Sequence, residues 1–178
     1  MRNMVQVRGL KKNYKDHEVL KGLDFDVREG EIFALLGGNG AGKTTALECM
    51  EGLRRYDGGS IRIDGSRGIQ LQSASLPGYI RVKEAVCLIE KWKKAGDGKR
   101  WSEVFGLDGF YHRKYRELST GKKRRLHLAL ALIGDPEILF LDEPTAGLDV
   151  EGRIGLHEEI RRLKAQGKTM ILASHDMA

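Results

Sequence analysis

The stretch that most narrows what this chain can become is Gly37-Gly38-Asn39-Gly40-Ala41-Gly42-Lys43-Thr44-Thr45, which satisfies the pattern G-x-x-x-x-G-K-[ST]. Before it runs Ile32–Leu36, a continuous apolar segment that predicts a strand buried on both faces. After it, Lys43–Glu51 reads as a helix. In a strand–loop–helix of this kind the glycines let the backbone curl until successive N–H groups point inward. The result is an anion nest at a helix N-terminus. Lys43 brings a compact charge to the β- and γ-phosphates of a nucleotide, and the Thr44 hydroxyl is placed to ligate Mg²⁺. Phosphate binding follows, but such a loop alone does not separate an ATPase from a nucleotide kinase or a GTPase.

Two further apolar runs end in polar chemistry. Ile138–Leu141 ends on Asp142 and Glu143, and Thr169–Ala173 ends on Ser174 and His175. Three buried strands with reactive residues at one end predict a parallel α/β sheet whose site lies at its carboxyl edge. Between the last two, a helix is expected over about Gly152–Gln166, with Leu156, Ile160 and Leu163 on one face and Gly167 as C-cap. Met4–Leu10 and Leu23–Arg28 alternate apolar and polar residues, as half-exposed antiparallel strands do. The fold class is therefore α/β: a P-loop core with a mainly parallel sheet and an N-terminal antiparallel part. Ser73–Glu117 has no buried-strand pattern and reads as a mainly helical insertion. One domain is expected over 1–178, with the core in 1–72 and 118–178 and the insertion in 73–117.

The carboxylates at the second strand end begin to choose between reactions. Asp142 is placed to hold the Mg²⁺ shell, and Glu143 to reach the water that attacks the γ-phosphate. Cys49 and Cys87 have no CxxC spacing and read as small apolar residues of a reducing compartment. No apolar run approaches the ~18 residues of a spanning helix, and Met1–Leu10 lacks a signal-peptide pattern. A cytoplasmic chain that meets a membrane only through a partner is expected. The net charge of +6 is uneven: Lys91–Arg125 holds 12 Lys/Arg against 4 Asp/Glu. Such a segment is either a solvated helical face or a contact for nucleic acid or anionic lipid, with Lys91, Lys93 and Lys94 as the lipid-facing candidates.

Taken together, the motifs resemble the nucleotide-binding domains of the ATP-binding cassette family along almost the whole chain. Leu118-Ser119-Thr120-Gly121-Lys122 resembles the family signature LSGGQ just upstream of the second buried strand, at the start of a helix with Leu126, Leu130 and Ile133 on its apolar side. The resemblance implies that ATP is the nucleotide and Mg²⁺ its metal. It implies that Tyr14 stacks on adenine with Val19 near the same base. Gln72 would sense Mg²⁺ and the attacking water, with Gln70 as the competing candidate. Asp149, in Ala146-Gly147-Leu148-Asp149, would help join two subunits, and His175 would contact the γ-phosphate.

The same resemblance implies a head-to-tail pair with two ATP molecules between the subunits. Each site takes Lys43, Thr44, Gln72, Asp142, Glu143 and His175 from one chain and Ser119 and Gly121 from the other. A separate transmembrane permease would ride on the insertion, placing the chain peripherally on the inner face of the membrane. Gly38 stands where the family often has Pro, Thr120 replaces a signature glycine and Lys122 replaces the usual Gln. The Leu-Ser-Thr-Gly form leans towards export. Family domains continue beyond the histidine, so a chain cut short at its C-terminus is expected. The alternative is a soluble cassette ATPase acting on nucleic acid or ribosomes; the long coiled coils or second cassette of such relatives are not in these 178 residues, so a nucleic-acid partner is not favoured.

Overall fold

The computed structural model describes residues 2–70 and 75–174. Two sheets organise them. In the first, β1 (Asn3–Tyr14) and β2 (His17–Arg28) form an antiparallel hairpin, and β4 (Gly58–Ile63) pairs with the other edge of β1. Both hairpin strands outrun the expected Met4–Leu10 and Leu23–Arg28. The ladder continues through Lys11, Lys12 and Asn13 to the pair Tyr14–His17, where no apolar alternation marks it.

The second sheet is parallel, with strand order β3 (Ile32–Leu36), β7 (Thr169–Ser174), β6 (Ile138–Asp142) and β5 (Arg67–Gln70). Its side chains alternate between two cores, as strand geometry requires. On β6, Ile138 and Phe140 enter one core while Leu139 and Leu141 enter the other. The first core lies between the two sheets and encloses α1 (Lys43–Glu51), whose Ala46, Leu47, Cys49 and Met50 are buried with Val5, Val7 and Leu10 of the hairpin. Phe25 and Phe33 stack across the two sheets, their ring centroids 4.5 Å apart.

The second core lies on the other face. It is built from α4 (Thr120–Leu132), α5 (Val150–Ala165) and two helices of the intervening segment, α2 (Val82–Lys93) and α3 (Gly98–Val104). That segment grips the end of α4 with polar groups. Lys93 Nζ donates to the carbonyls of Ala131 (3.2 Å) and Ile133 (2.7 Å), satisfying acceptors that a helix C-terminus leaves open. The Asp97 carboxylate accepts from the buried Trp101 indole at 2.8 Å and from Gly134 N at 2.9 Å. Lys93 is therefore committed to structure, which removes it from the lipid-facing set named from the sequence. Lys91 and Lys94 remain exposed.

Three expectations need correction. Ile32–Leu36 is not buried on both faces: among the described residues β3 pairs only with β7, and Leu36 is 53% exposed. Its apolar run reflects two half-covered faces at a sheet edge. The helix expected from Gly152 starts two residues earlier, because Asp149 caps it by accepting from Gly152 N at 2.9 Å. Its C-cap is Gln166, with Gly167 following in the left-handed region (φ 81°). The fourth parallel strand, β5, has no counterpart in the sequence reading. Among the described residues no helix is long and apolar enough to cross a membrane, and both cysteines are free, Cys49 buried and Cys87 exposed.

Candidate functional site

Among the described residues the parallel sheet delivers its reactive side chains to the carboxyl ends of β3 and β6. At the end of β3 the glycine loop turns into α1 through Gly42, whose φ of 84° is reached cheaply only by glycine. A Cβ there would also stand 2.9 Å from Val19 Cγ1 and 3.1 Å from the Val19 carbonyl. Val19, expected near the base, thus packs directly against the loop. A cavity of about 450 Å³ lies beside it, lined by Val19, Leu36, Gly40, Ala41, Gly42 and Lys43 among others. Asn39 is exposed on the same loop and Thr45 half-buried on α1.

Lys43 donates to the carbonyls of Gly37 (2.7 Å) and Gly38 (3.0 Å), and its ammonium lies 3.9 Å from Glu143 Oε1. One residue further along α1, Thr44 Oγ1 is 3.3 Å from Asp142 Oδ1. Two adjacent residues of the helix start thus meet two adjacent residues of the β6 end, although almost a hundred positions separate them in sequence. Glu143 is held at φ 46°, in the left-handed region that a non-glycine residue enters at a cost, with its N–H donating to Ala173 O at 2.9 Å. Such backbone strain concentrates at functional sites, where the surroundings over-determine it.

The electrostatics are those of a site short of positive charge. Burial, and behind it the neighbouring Glu143 and Glu48 carboxylates, raises the Asp142 pKa; the Thr44 hydrogen bond and Lys43 only partly offset this. A divalent cation suits that deficit. Mg²⁺ needs only one or two protein oxygens beside phosphate and water, so the Thr44 hydroxyl and the Asp142 carboxylate fit it. Deeper along the same face of α1 lies Glu51, which the sequence reading used only as a helix end. It is 7% exposed and neither carboxylate oxygen has a hydrogen-bond partner among the described residues. Burial, Asp142 and Glu48 together push its pKa up to about 7. A Glu at a helix end carries no sequence signal of such burial.

Ser119, Gly121 and Asp149 stand elsewhere. They line a larger cavity, of about 570 Å³, between the start of α4, the end of α3 and the first turns of α5. Ser119 is exposed and caps α4, its hydroxyl accepting from Lys122 N at 3.4 Å. The first turns of α4 carry Lys122, Lys123, Arg124 and Arg125 with no acidic residue in the first turn. Lys122 and Arg125 lie over the Phe110 ring and Lys123 over Tyr115. Cations at the positive end of a helix dipole make an anion-seeking surface. The structure therefore brings together Val19, Gly40, Ala41, Gly42 and Lys43, links Thr44 to Asp142 and Lys43 to Glu143, and leaves Ser119, Gly121 and Asp149 on a separate surface.

Tyr14 is not on the lining of the loop cavity. It ends β1 at the hairpin tip, 39% exposed, with Lys12 and Arg54 against its ring. Gln70 is buried at the end of β5, opposite Leu141 of β6. Gln72 and His175 lie outside the described residues.

The family model described as "ABC transporter" matches residues 20–146. The chain is 34% identical to the spermidine/putrescine import ATP-binding protein PotA of Mesoplasma florum, over 98% of this chain and 55% of that protein. It is 38% identical to the Nod factor export ATP-binding protein I of Burkholderia orbicola, over 97% and 63%. The chain thus spans little more than half the length of these curated relatives. Among solved structures it superposes on a dimeric bacterial ABC transporter cassette with a TM-score of 0.90 at 24% identity, covering 98% of this chain and 89% of that one. On a nucleotide-free ATP-binding cassette from an ABC transporter the score is 0.88 at 20% identity, covering 99% and 83%. At these identities the structural likeness speaks to the fold alone.

Proposed function

The chain belongs to the ABC transporter family, and we propose that it binds ATP with Mg²⁺ and hydrolyses it to drive a separate membrane-embedded permease. The observation that carries this is the double contact of Lys43 with Glu143 and Thr44 with Asp142. It sets a phosphate-binding lysine, a metal-binding pair and a candidate base around one point.

In this reading the amides of Gly37–Thr45 and the Lys43 ammonium hold the β- and γ-phosphates, and Tyr14 and Val19 flank the adenine. Thr44 and Asp142, with Gln72, hold Mg²⁺, which neutralises charge on the phosphate oxygens when bound. Glu143 takes a proton from, or orients, the water in line with the γ-phosphate, and His175, next in sequence after β7, contacts that phosphate. Ser119 and Gly121, on their own exposed surface, serve the nucleotide of a second subunit arranged head to tail, with Asp149 at the same junction. Their separation from the loop cavity supports a site shared between two copies. ATP then holds the pair closed by supplying negative charge that both halves lack, and hydrolysis removes that contact.

Division into a core (1–72 and 118–178) and a helical insertion (73–117) is part of the same proposal, with the insertion as the part on which the permease rides. The chain would sit on the inner face of the membrane through that partner. Relatives named for import and for export are similarly identical to it; the Leu118–Gly121 string supports export. The named relatives give no support to a nucleic-acid function.

The test is Glu143→Gln. Nucleotide affinity should stay within about 2-fold, while turnover falls by roughly 10²–10⁴. Turnover that survives the substitution would remove Glu143 from the reaction.

A further inference from the structure

A tyrosine at a hairpin tip has little to hold its ring, yet two cations lie over that of Tyr14. Arg54 Cζ lies 5.4 Å from the ring centroid and Lys12 Nζ lies 5.5 Å from it. Each cation is itself anchored. The Arg54 guanidinium is bound to the Glu48 carboxylate at 2.5 Å, and Arg54 N donates to the Glu48 carbonyl at 3.1 Å. Lys12 Nζ is 3.1 Å from Asp57 Oδ1, and the other oxygen of Asp57 accepts from Asn13 N at 2.7 Å. Asp57 N donates in turn to Lys11 O at 2.8 Å. The segment after α1 is thus laid along the end of β1, and Glu48, on α1, stands one turn beyond Thr44.

We propose that Arg54, aided by Lys12, is a positioning residue for nucleotide binding: it fixes the Tyr14 ring as a preset base platform and ties that platform to the helix that carries the phosphate site. This rests on the reading of Tyr14 as the adenine-stacking residue. A ring already oriented loses no rotamer freedom when a base arrives, so the clamp strengthens the base-dependent part of affinity and leaves the phosphate part alone. Cation–π contacts at exposed sites are modest. Arg54 alone should therefore be worth about 2- to 5-fold in ATP affinity.

The experiment measures dissociation constants by calorimetry on the full chain with Mg²⁺, for ATP and for inorganic tripolyphosphate, which has no base. The variants are Arg54→Gln, which can keep hydrogen bonds to Glu48 without the charge, Arg54→Lys, Tyr14→Ala and the double variant Tyr14→Ala/Arg54→Gln. Arg54→Gln should weaken ATP about 2- to 5-fold, leave tripolyphosphate unchanged and add nothing to Tyr14→Ala, and Arg54→Lys should recover most of the loss. Equal weakening of both ligands, or a full Arg54 effect without Tyr14, would overturn the positioning role. Tyr14→Ala that binds ATP normally would instead overturn the adenine reading beneath it.

Discussion

Glu51 offers the sharpest test of the buried electrostatics. Its carboxylate is 7% exposed, makes no hydrogen bond among the described residues and shares its surroundings with Asp142 and Glu48. Burial is the main reason that its pKa rises from 4.5 to about 7. A carboxyl whose folded pKa lies above its unfolded one keeps its proton better when folded. Its contribution to stability is fully present below pH 4.5 and is lost as the pH climbs through 7. Once ionised in both states, the group costs the fold about 3 kcal/mol. Glu51→Gln imitates the protonated form, so the variant should match the parent near pH 4.5 and exceed it by about 3 kcal/mol at pH 8.5. For a chain of this size that is a rise in Tm of roughly 6–12 °C. Urea unfolding of both proteins from pH 4.5 to 8.5 measures the gap directly, and the difference curve cancels the titrating groups that do not interact with Glu51. A gap that stays constant with pH would refute the reasoning.

Other substitutions probe the frame. Gly68→Ala on β5 would put a Cβ 2.3 Å from Ala131 O and 2.8 Å from both Leu139 Cδ2 and Pro136 Cγ; it should cost roughly 1–3 kcal/mol in urea unfolding. Lys93→Met should cost about 1–2 kcal/mol by leaving the Ala131 and Ile133 carbonyls without their donor, whereas Lys91→Met should stay within about 0.5 kcal/mol in the same assay. Asp149→Ala removes the cap on Gly152 N and should lower stability by about 1 kcal/mol, readable as a small fall in Tm.

What the sequence disclosed was local. The glycine loop, the Asp142–Glu143 pair and Ser119 at a helix start are contiguous strings whose chemistry depends on neighbours a few residues away. The β5 strand was illegible because Arg67-Gly68-Ile69-Gln70 offers one large apolar side chain. Its place is fixed by Gly68 admitting the backbone at Ala131, a contact over sixty residues distant. The β3 edge misled for the converse reason, since an apolar run looks the same whether one neighbour pairs with it or two. Lys93 was read with its charged neighbours because only the end of α4 reveals its task. The clamp on Tyr14 depends on Arg54 and Asp57, far along the sequence from it.

The Lys43 ammonium already has two peptide oxygens and a carboxylate around it. An arriving ligand must outbid Gly37 and Gly38 rather than settle on a naked charge, so measured affinity is a difference between two sets of oxygens. Singly charged anions win little from such a trade, and a polyphosphate wins most. Under the proposed function Glu143 belongs to the displaced set, so the swap that seats the ligand also loosens the ion pair between the lysine and the proposed base.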